Sequence, residues 1–420
     1  DVAAPKVLYV ALPDGTVLRV YAVGDTVPAP GDGTISDVLA VLVNREGKVF
    51  AEVSISADTG GRTFGLLSAQ VVGGVVTAKA AVIYDGAAPI VGETLGDLDE
   101  AALFVSDAGT VFFEGTTDAG TDALWMAAPD GSGLTTLVAE GDGLPGAVSV
   151  QVLLKTGVSR DGLRFAFAAD TGSDDRRVYS SSTSPIAFGE LARDGDPVPG
   201  GFGGNLLEAW EQGPLVVYAS GSVVFRGTAD TAITDDVLLI GAPTVAFALL
   251  ARSGQLAPTA GGGVYGTIDL LENAPEVSIP QFRTQLVGVP SGVDFATYGI
   301  TSIGGPAEPA MFEGRQAPSD AGTSGTFTDT FPGLSAAGRI DVSTDASFAF
   351  AGVLNNGRSG VFWLVPFCGF FTLAINGGPA PGGDVFGAFN PVAAQTCADD
   401  VVLFRALLAT AGSGVFRQGP

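Results

Sequence analysis

The sequence predicts an all-β fold, a seven-bladed β-propeller of four-stranded antiparallel blades, and three observations lead there. A Gly-x-x-x-Pro turn, or a close relative, recurs seven times along 420 residues. Between successive turns a Gly precedes a Phe that opens an alternating apolar run, the pattern of a hairpin feeding a half-buried strand. No segment carries the period of an amphipathic helix.

The turns stand at Gly24-Asp-Thr-Val-Pro28, Gly92-Glu-Thr-Leu-Gly96, Gly141-Asp-Gly-Leu-Pro145, Gly195-Asp-Pro-Val-Pro199, Gly254-Gln-Leu-Ala-Pro258, Gly314-Arg-Gln-Ala-Pro318 and Gly377-Gly-Pro-Ala-Pro381, spaced by 68, 49, 54, 59, 60 and 63 residues. The inner hairpins read Gly47-Lys-Val-Phe50, Gly109-Thr-Val-Phe112, Gly162-Leu-Arg-Phe165 and Gly221-Ser-Val-Val-Phe225, with degenerate copies ending at Phe350 and Phe404. Each unit then adds a third strand such as Ala123-Leu-Trp-Met126, often an Asp-Gly turn (Asp14-Gly15, Asp85-Gly86, Asp130-Gly131), and a fourth strand. The expected units are 33–90, 95–138, 147–192, 202–251, 262–312, 324–374 and 384–417 plus 6–23, in one domain covering 1–420. Val7–Val10 and Val17–Val20 supply the outer hairpin that the C-terminal unit lacks, so the chain ends share one blade and close a ring. Gly414-Val-Phe-Arg417 reads as a third strand as well, and competes with Val7–Val10 for one position.

Composition bounds the function. Charged residues make up 15% of the chain, against about 25% in a typical globular protein. Net charge is −25, from 45 acidic and 20 basic residues, so the phosphate-neutralising surface of a nucleic-acid binder is not expected. The sequence has no His, which removes Ser-His-Asp and Cys-His pairs and His-containing metal sites. The uncharged apolar run Val237–Ala251 contains Gly241 and Pro243 and is too short to span a bilayer.

Asn44-x-x-Gly47 and Ser343-x-x-Ala346-x-x-Ala349-Phe350, with Gly-Asp-x-x-Pro-Gly turns between copies, resemble the bacterial Asn-x-x-Gly-x-x-Ala-Phe tandem-repeat surface proteins, the choice-of-anchor repeat family. The resemblance covers nearly the whole chain. It implies an exported, propeller-like protein with a C-terminal anchor, and it brings no established activity.

Two sets of residues are candidate sites. Cys368 and Cys397 fall on the same face of adjacent blades and are expected to form a disulfide, in keeping with an exported chain. On the opposite face, loops between second and third strands carry Asp58, Asp118, Asp170 and Asp230, and the turns leading into the same units carry Asp25, Glu93, Asp142 and Asp196. These eight carboxylates predict an acidic half-face for a basic partner. Each also suits the cap of its own turn, and Ca2+ held by the same residues is the alternative. No other cofactor is expected. The run Gly96-Asp-Leu-Asp-Glu100 and the group Asp174, Asp175, Arg176 and Arg177 read as solvated loop charges, and Trp125, Trp210 and Trp363 as strand residues packed in the core.

The function expected from these observations is that of a non-enzymatic exported scaffold or surface-complex subunit that binds protein partners or itself, outside the cytoplasm. A glycan or small-ligand receptor at the channel mouth is the first alternative. A hydrolase or lyase working with carboxylates alone is the second.

Overall fold

The computed structural model describes residues 7–418 apart from 12–16, 45–47, 99–103, 174, 201–203, 211–212, 231–234, 244, 259–262, 271–280, 291–294, 301–306, 313–326, 330–340, 343–347, 366–368, 380–384, 398–400 and 409–411. Every strand-length element in it is β, and no helix among the described residues is long and apolar enough to cross a membrane. The architecture is of the β-propeller type.

Six blades are antiparallel meanders drawn from contiguous chain. Blade 1 comprises Thr34–Val43, Lys48–Ser56, Phe64–Val72 and Val75–Tyr84, in sequence order across the sheet. Blade 3 repeats it with Val152–Val158, Arg164–Asp170, Arg176–Ser182 and Gly189–Arg193, and blade 5 with Val264–Leu270, Gln281–Val287, Phe295–Ile300 and Ala307–Phe312. In blades 2, 4 and 6 the first strand comes in two pieces. These are Leu95–Leu98 with Phe104–Val105, Leu206–Glu208 with Val216–Val217, and Phe327–Asp329 with Asp341–Val342. Both pieces of each pair with the second strand, which is Val111–Thr117, Val223–Ala229 or Phe348–Leu354. A two-stranded ribbon, Gly143–Leu144 with Val148–Ser149, precedes blade 3.

The expectation of a seven-bladed propeller is corrected here: the structure shows six blades, and the terminal sheet is not a seventh of the same build. It has five strands in the order Val17–Ala22, Val7–Ala11, Gly412–Gln418, Val401–Leu408 and Phe386–Cys397. Gly412–Gln418 pairs antiparallel with Val401–Leu408, with Leu408 opposite Gly412. It therefore takes the third position locally, and the N-terminal hairpin adds outside it through a parallel contact, Val10 to Val415. The two segments that competed in the sequence lie side by side.

The chain divides into two compact units. One consists of Asp1–Asp142, Gly377–Asn390 and Cys397–Pro420 and contains blades 1 and 2 with most of the terminal sheet; the other consists of Gly143–Asn376 and Pro391–Thr396 and contains blades 3 to 6. Within each, blades bury both faces, so alternate residues of one strand enter different cores. In blade 4, Val223, Phe225, Val237 and Leu239 pack with Ala166, Ala168 and Val178 of blade 3. Their neighbours Val224 and Leu238 pack instead with Tyr265, Phe282 and Tyr298 of blade 5. In blade 1, Phe50 and Leu66 meet Phe113 and Trp125 of blade 2, while Val49, Ala51 and Leu67 meet Leu8, Val20 and Tyr21 of the terminal sheet. Two-sided burial is why the second strands read as nearly unbroken apolar runs.

The split first strands have a sequence cause. Blades 2, 4 and 6 carry Gly in the second strand beside the split, at Gly115, Gly227 and Gly352, where the same register places Val53 in blade 1 and Phe167 in blade 3. A Cβ on Gly115 would stand 2.3 Å from the Asp97 carbonyl oxygen, and one on Gly227 2.8 Å from that of Glu208. Gly thus admits the bulged backbone of the split strand. Gly115→Ala and Gly227→Ala are each expected to lower stability by about 1–3 kcal/mol in thermal unfolding. Gly143→Ala, with nothing within 4 Å of its Cβ position, should stay within about 0.5 kcal/mol.

Candidate functional site

The candidate site is the set of turns at one end of each blade, and backbone geometry explains their residues. Gly24, Gly86, Gly141, Gly195, Gly254 and Gly377 have φ between 73° and 92°, the left-handed region that favours Gly. At Gly24 the chain makes a tight turn in which Asp25 N–H donates to Ala22 O, the pattern of a type II turn with Gly third. The same bond closes the turns at Ala87, Asp142, Asp196 and Gln255.

The turn then couples to the first strand of the next sheet. Gly24 N–H donates to Ile35 O, Gly86 to Leu95, Gly195 to Leu206, Gly254 to Tyr265 and Gly377 to Phe386, at 2.7–3.0 Å. The receiving residue donates back to the residue after the Gly, at 2.7–2.9 Å. This pattern corrects the alignment of the second turn. Gly86-Ala-Ala-Pro89, not Gly92-Glu-Thr-Leu-Gly96, is the equivalent of Gly24-Asp-Thr-Val-Pro28; it is one residue shorter, which hid it from a fixed spacing. Gly24, Gly86 and Gly141 are then 62 and 55 residues apart rather than 68 and 49. Asp85-Gly86, expected inside a blade, is the crossing between blades, whereas Asp130-Gly131 does turn between third and fourth strands.

The turn carboxylates bind backbone. Asp25 accepts from Ala22 N–H at 3.0 Å, Asp142 from Ala139 at 2.8 Å and Asp196 from Arg193 at 3.0 Å. Gln255 does the same for Arg252 at 3.3 Å without a charge. Each side chain thus takes up the donor that opens its own turn. Ala87 holds this position in the second turn, and Glu93 belongs to a separate turn, where Thr117 Oγ1 donates to it at 2.5 Å.

Loops between second and third strands bond to the residues that lead into the first strand of their own blade. Asp118 N–H donates to Thr94 O at 2.8 Å and its carboxylate accepts Thr94 N–H at 2.9 Å. Asp230 N–H donates to Asn205 O, and Asp170 O accepts Gln151 N–H while its carboxylate accepts Gly172 N–H at 2.7 Å. Asp58 has no exposed side-chain surface and accepts N–H bonds from Asp32, Gly60 and Arg62. Burial works to raise its carboxyl, but these N–H groups and the Arg62 guanidinium outweigh it and hold it at about 2. Thr94 holds Asp118 low in the same way.

Six of the eight carboxylates, Asp25, Asp58, Asp118, Asp142, Asp170 and Asp196, thus accept backbone N–H groups. Asp25, Asp58, Glu93, Asp118 and Asp142 lie in one unit, and Asp170, Asp196 and Asp230 in the other. Asp25 pairs with Arg19, Asp58 with Arg62 at 3.1 Å and Asp196 with Arg193 at 3.4 Å. Among the described residues no group of three or more Asp, Glu or Cys is arranged to hold a metal ion.

Other expected sites are placed as follows. Arg177 bridges Asp175 at 2.5 Å and Glu190 at 2.9 Å. Burial acts to raise the Asp175 carboxyl, and its bonds from Arg177 and Thr171 bring it below the ordinary range. Asp174, Asp99, Glu100 and Cys368 lie outside the described residues, while Cys397 ends its strand. Trp125 is fully buried in its strand. Trp210, expected in a strand, follows Leu206–Glu208 in a bend and donates to Gly213 O at 3.3 Å. The split of the first strand displaced it.

Sequence reasoning missed the residue before the turn Gly. Asp85 accepts Thr63 N–H at 2.8 Å, Asp194 accepts Arg176 N–H at 3.1 Å and Ser253 Oγ accepts Asp236 N–H at 2.9 Å, each at the start of the third strand. The signal was a polar residue directly before the repeated Gly. Asn44 is explained too: its Oδ1 accepts Lys48 N–H at 2.9 Å, and its Nδ2 donates to Ser106 and Asp107 carbonyls of the next blade.

No family model and no curated protein matches the chain. Among solved structures it is similar to the β-propeller domain of the Trilobed protease from Pyrococcus furiosus, at 9% identity and a TM-score of 0.46 over 90% of this chain and 92% of that one. It is similar to Pyrococcus horikoshii acylaminoacyl peptidase at 8% and 0.48, over 92% and 51% of the two chains. An uncharacterized Listeria monocytogenes protein gives 9% and 0.48, over 93% and 95%. Likeness at this level transfers no activity.

Asp142→Ala and Asp196→Ala are each expected to cost about 1 kcal/mol in denaturant unfolding, and the Asn variants, which keep the acceptor, less than half of that. The pH dependence follows from the lowered carboxyls of Asp58, Asp118, Asp130 and Asp175. Between the ordinary value of 3.8 and about 2 the unfolded chain binds more protons than the folded one. Stability should be full above that window and fall as pH drops through it, read as a falling thermal midpoint. Asp194, raised by burial, works in the opposite direction.

Proposed function

We propose that the chain is a non-enzymatic exported structural or interaction protein, a scaffold or surface-complex subunit that binds protein partners or itself. The observation that supports this reading is the use of the recurrent carboxylates, which accept backbone N–H groups of their own turns at Asp25, Asp142 and Asp196 and of the strand lead at Asp118. Membership of the Asn-x-x-Gly-x-x-Ala-Phe repeat proteins is part of the same reading, supported by the capping role of Asn44. So is the Cys368–Cys397 disulfide of an exported chain. With a net charge of −25, the partner surface expected is basic rather than nucleic acid.

The carboxylate-only hydrolase or lyase is the reading to test against. Asp175, the partly buried carboxylate of the Asp174–Arg177 group, is held by Arg177. Purified protein is expected to show no turnover of glycosides, polyuronides or peptide esters above that of its Asp175→Asn variant. A rate that this variant abolishes would overturn the proposal. Alkylation of the unreduced protein is expected to leave both Cys unmodified, and two alkyl groups by intact mass would remove the disulfide from it.

A further inference from the structure

We propose that Asn356 is a site of spontaneous deamidation, a covalent modification that converts one hairpin tip into an acidic one. Two Asn-Gly sequences occur in the described chain, Asn356-Gly357 and Asn376-Gly377. A following Gly has no side chain to hinder its backbone nitrogen, so that nitrogen can reach the preceding amide carbon. The Gly357 nitrogen attacks Asn356 Cγ, a C–N bond forms, the Cγ–Nδ2 bond breaks, and Nδ2 leaves with the amide proton as ammonia. Water then opens the cyclic imide at either carbonyl, giving aspartate or isoaspartate and one added negative charge.

The structure separates the two sites. Asn355, Asn356 and Gly357 are exposed, and no atom lies within 4 Å of the Gly357 Cβ position. The Gly357 N–H bond to Leu354 O stays inside the turn that Leu354 N–H closes on Arg358 O. Asn356 Oδ1 accepts Arg358 N–H at 3.0 Å inside the same turn, so fraying of that tip releases nucleophile and amide together. At the second site, Asn376 N–H donates to Ser359 O, and the Asn376 carbonyl accepts Arg358 Nε at 3.1 Å and Nη2 at 2.8 Å. Gly377 N–H belongs to the crossing, bonded to Phe386 O at 2.8 Å. Reaction there requires opening of a strand end as well as the turn. The products differ in consequence too. Isoaspartate at 356 adds a backbone carbon inside a five-residue turn and disturbs its Leu354–Arg358 closure, and aspartate adds charge alone.

The full chain, folded and urea-unfolded, is held in mildly alkaline buffer and followed by peptide mass mapping with chromatographic separation of aspartate and isoaspartate. The unfolded chain is expected to convert both sites at similar rates. The folded chain should convert Asn356 at least about tenfold faster than Asn376, the ratio given by about 1.4 kcal/mol of extra opening cost. Equal rates in the folded chain, or an Asn356 that keeps its amide while the unfolded chain converts, would overturn the proposal.

Discussion

The structure depends on one reciprocal pair of backbone hydrogen bonds, the exchange between the turn Gly and the first strand of the following sheet. Each blade ends on its fourth strand, and the chain passes from there to the first strand of the next sheet. The crossing must be tight, and at Gly24, Gly195, Gly254 and Gly377 it is made by a left-handed residue, which costs a side-chain-bearing residue about 1–2 kcal/mol. Leu206 and Tyr265, which receive these bonds, are core residues. The crossing therefore sets the register of the strand that carries the core contacts.

That constraint also determines where acid can stand. A turn that must present its first N–H to an acceptor is served by Asp, and equally by the uncharged Gln255. Substitution of an amide for an acid at one position of the repeat identifies hydrogen-bond acceptance, rather than charge, as the shared property. Arg19, Arg62 and Arg193 offset part of the charge that Asp brings. The large acidic excess of the chain is thus partly a by-product of capping many turns.

Much of this was legible in the sequence, because a repeat states its turn chemistry several times. The strands opening at Phe50, Phe112, Phe165 and Phe225, the third–fourth turn at Asp130-Gly131 and the capping role of Asp beside Gly are all as the residues imply. The second crossing was misplaced because Gly92 is a genuine left-handed turn residue, and spacing cannot tell it from Gly86. The five-stranded terminal sheet was missed because two strand-forming segments from opposite ends look equivalent until their register is known. The split first strands had a visible signal, Gly115, Gly227 and Gly352 in the second strands of blades 2, 4 and 6, whose meaning depends on a carbonyl oxygen that only the fold brings near.

Amide hydrogen exchange at Ala22, Ala139, Arg193 and Arg252 tests the central claim most directly, since each of these N–H groups faces the side chain that the account assigns to it. The account predicts protection comparable to that of the neighbouring strand amides at all four. Exchange at the rate of exposed loops, with carboxylates left available to a ligand, would contradict it.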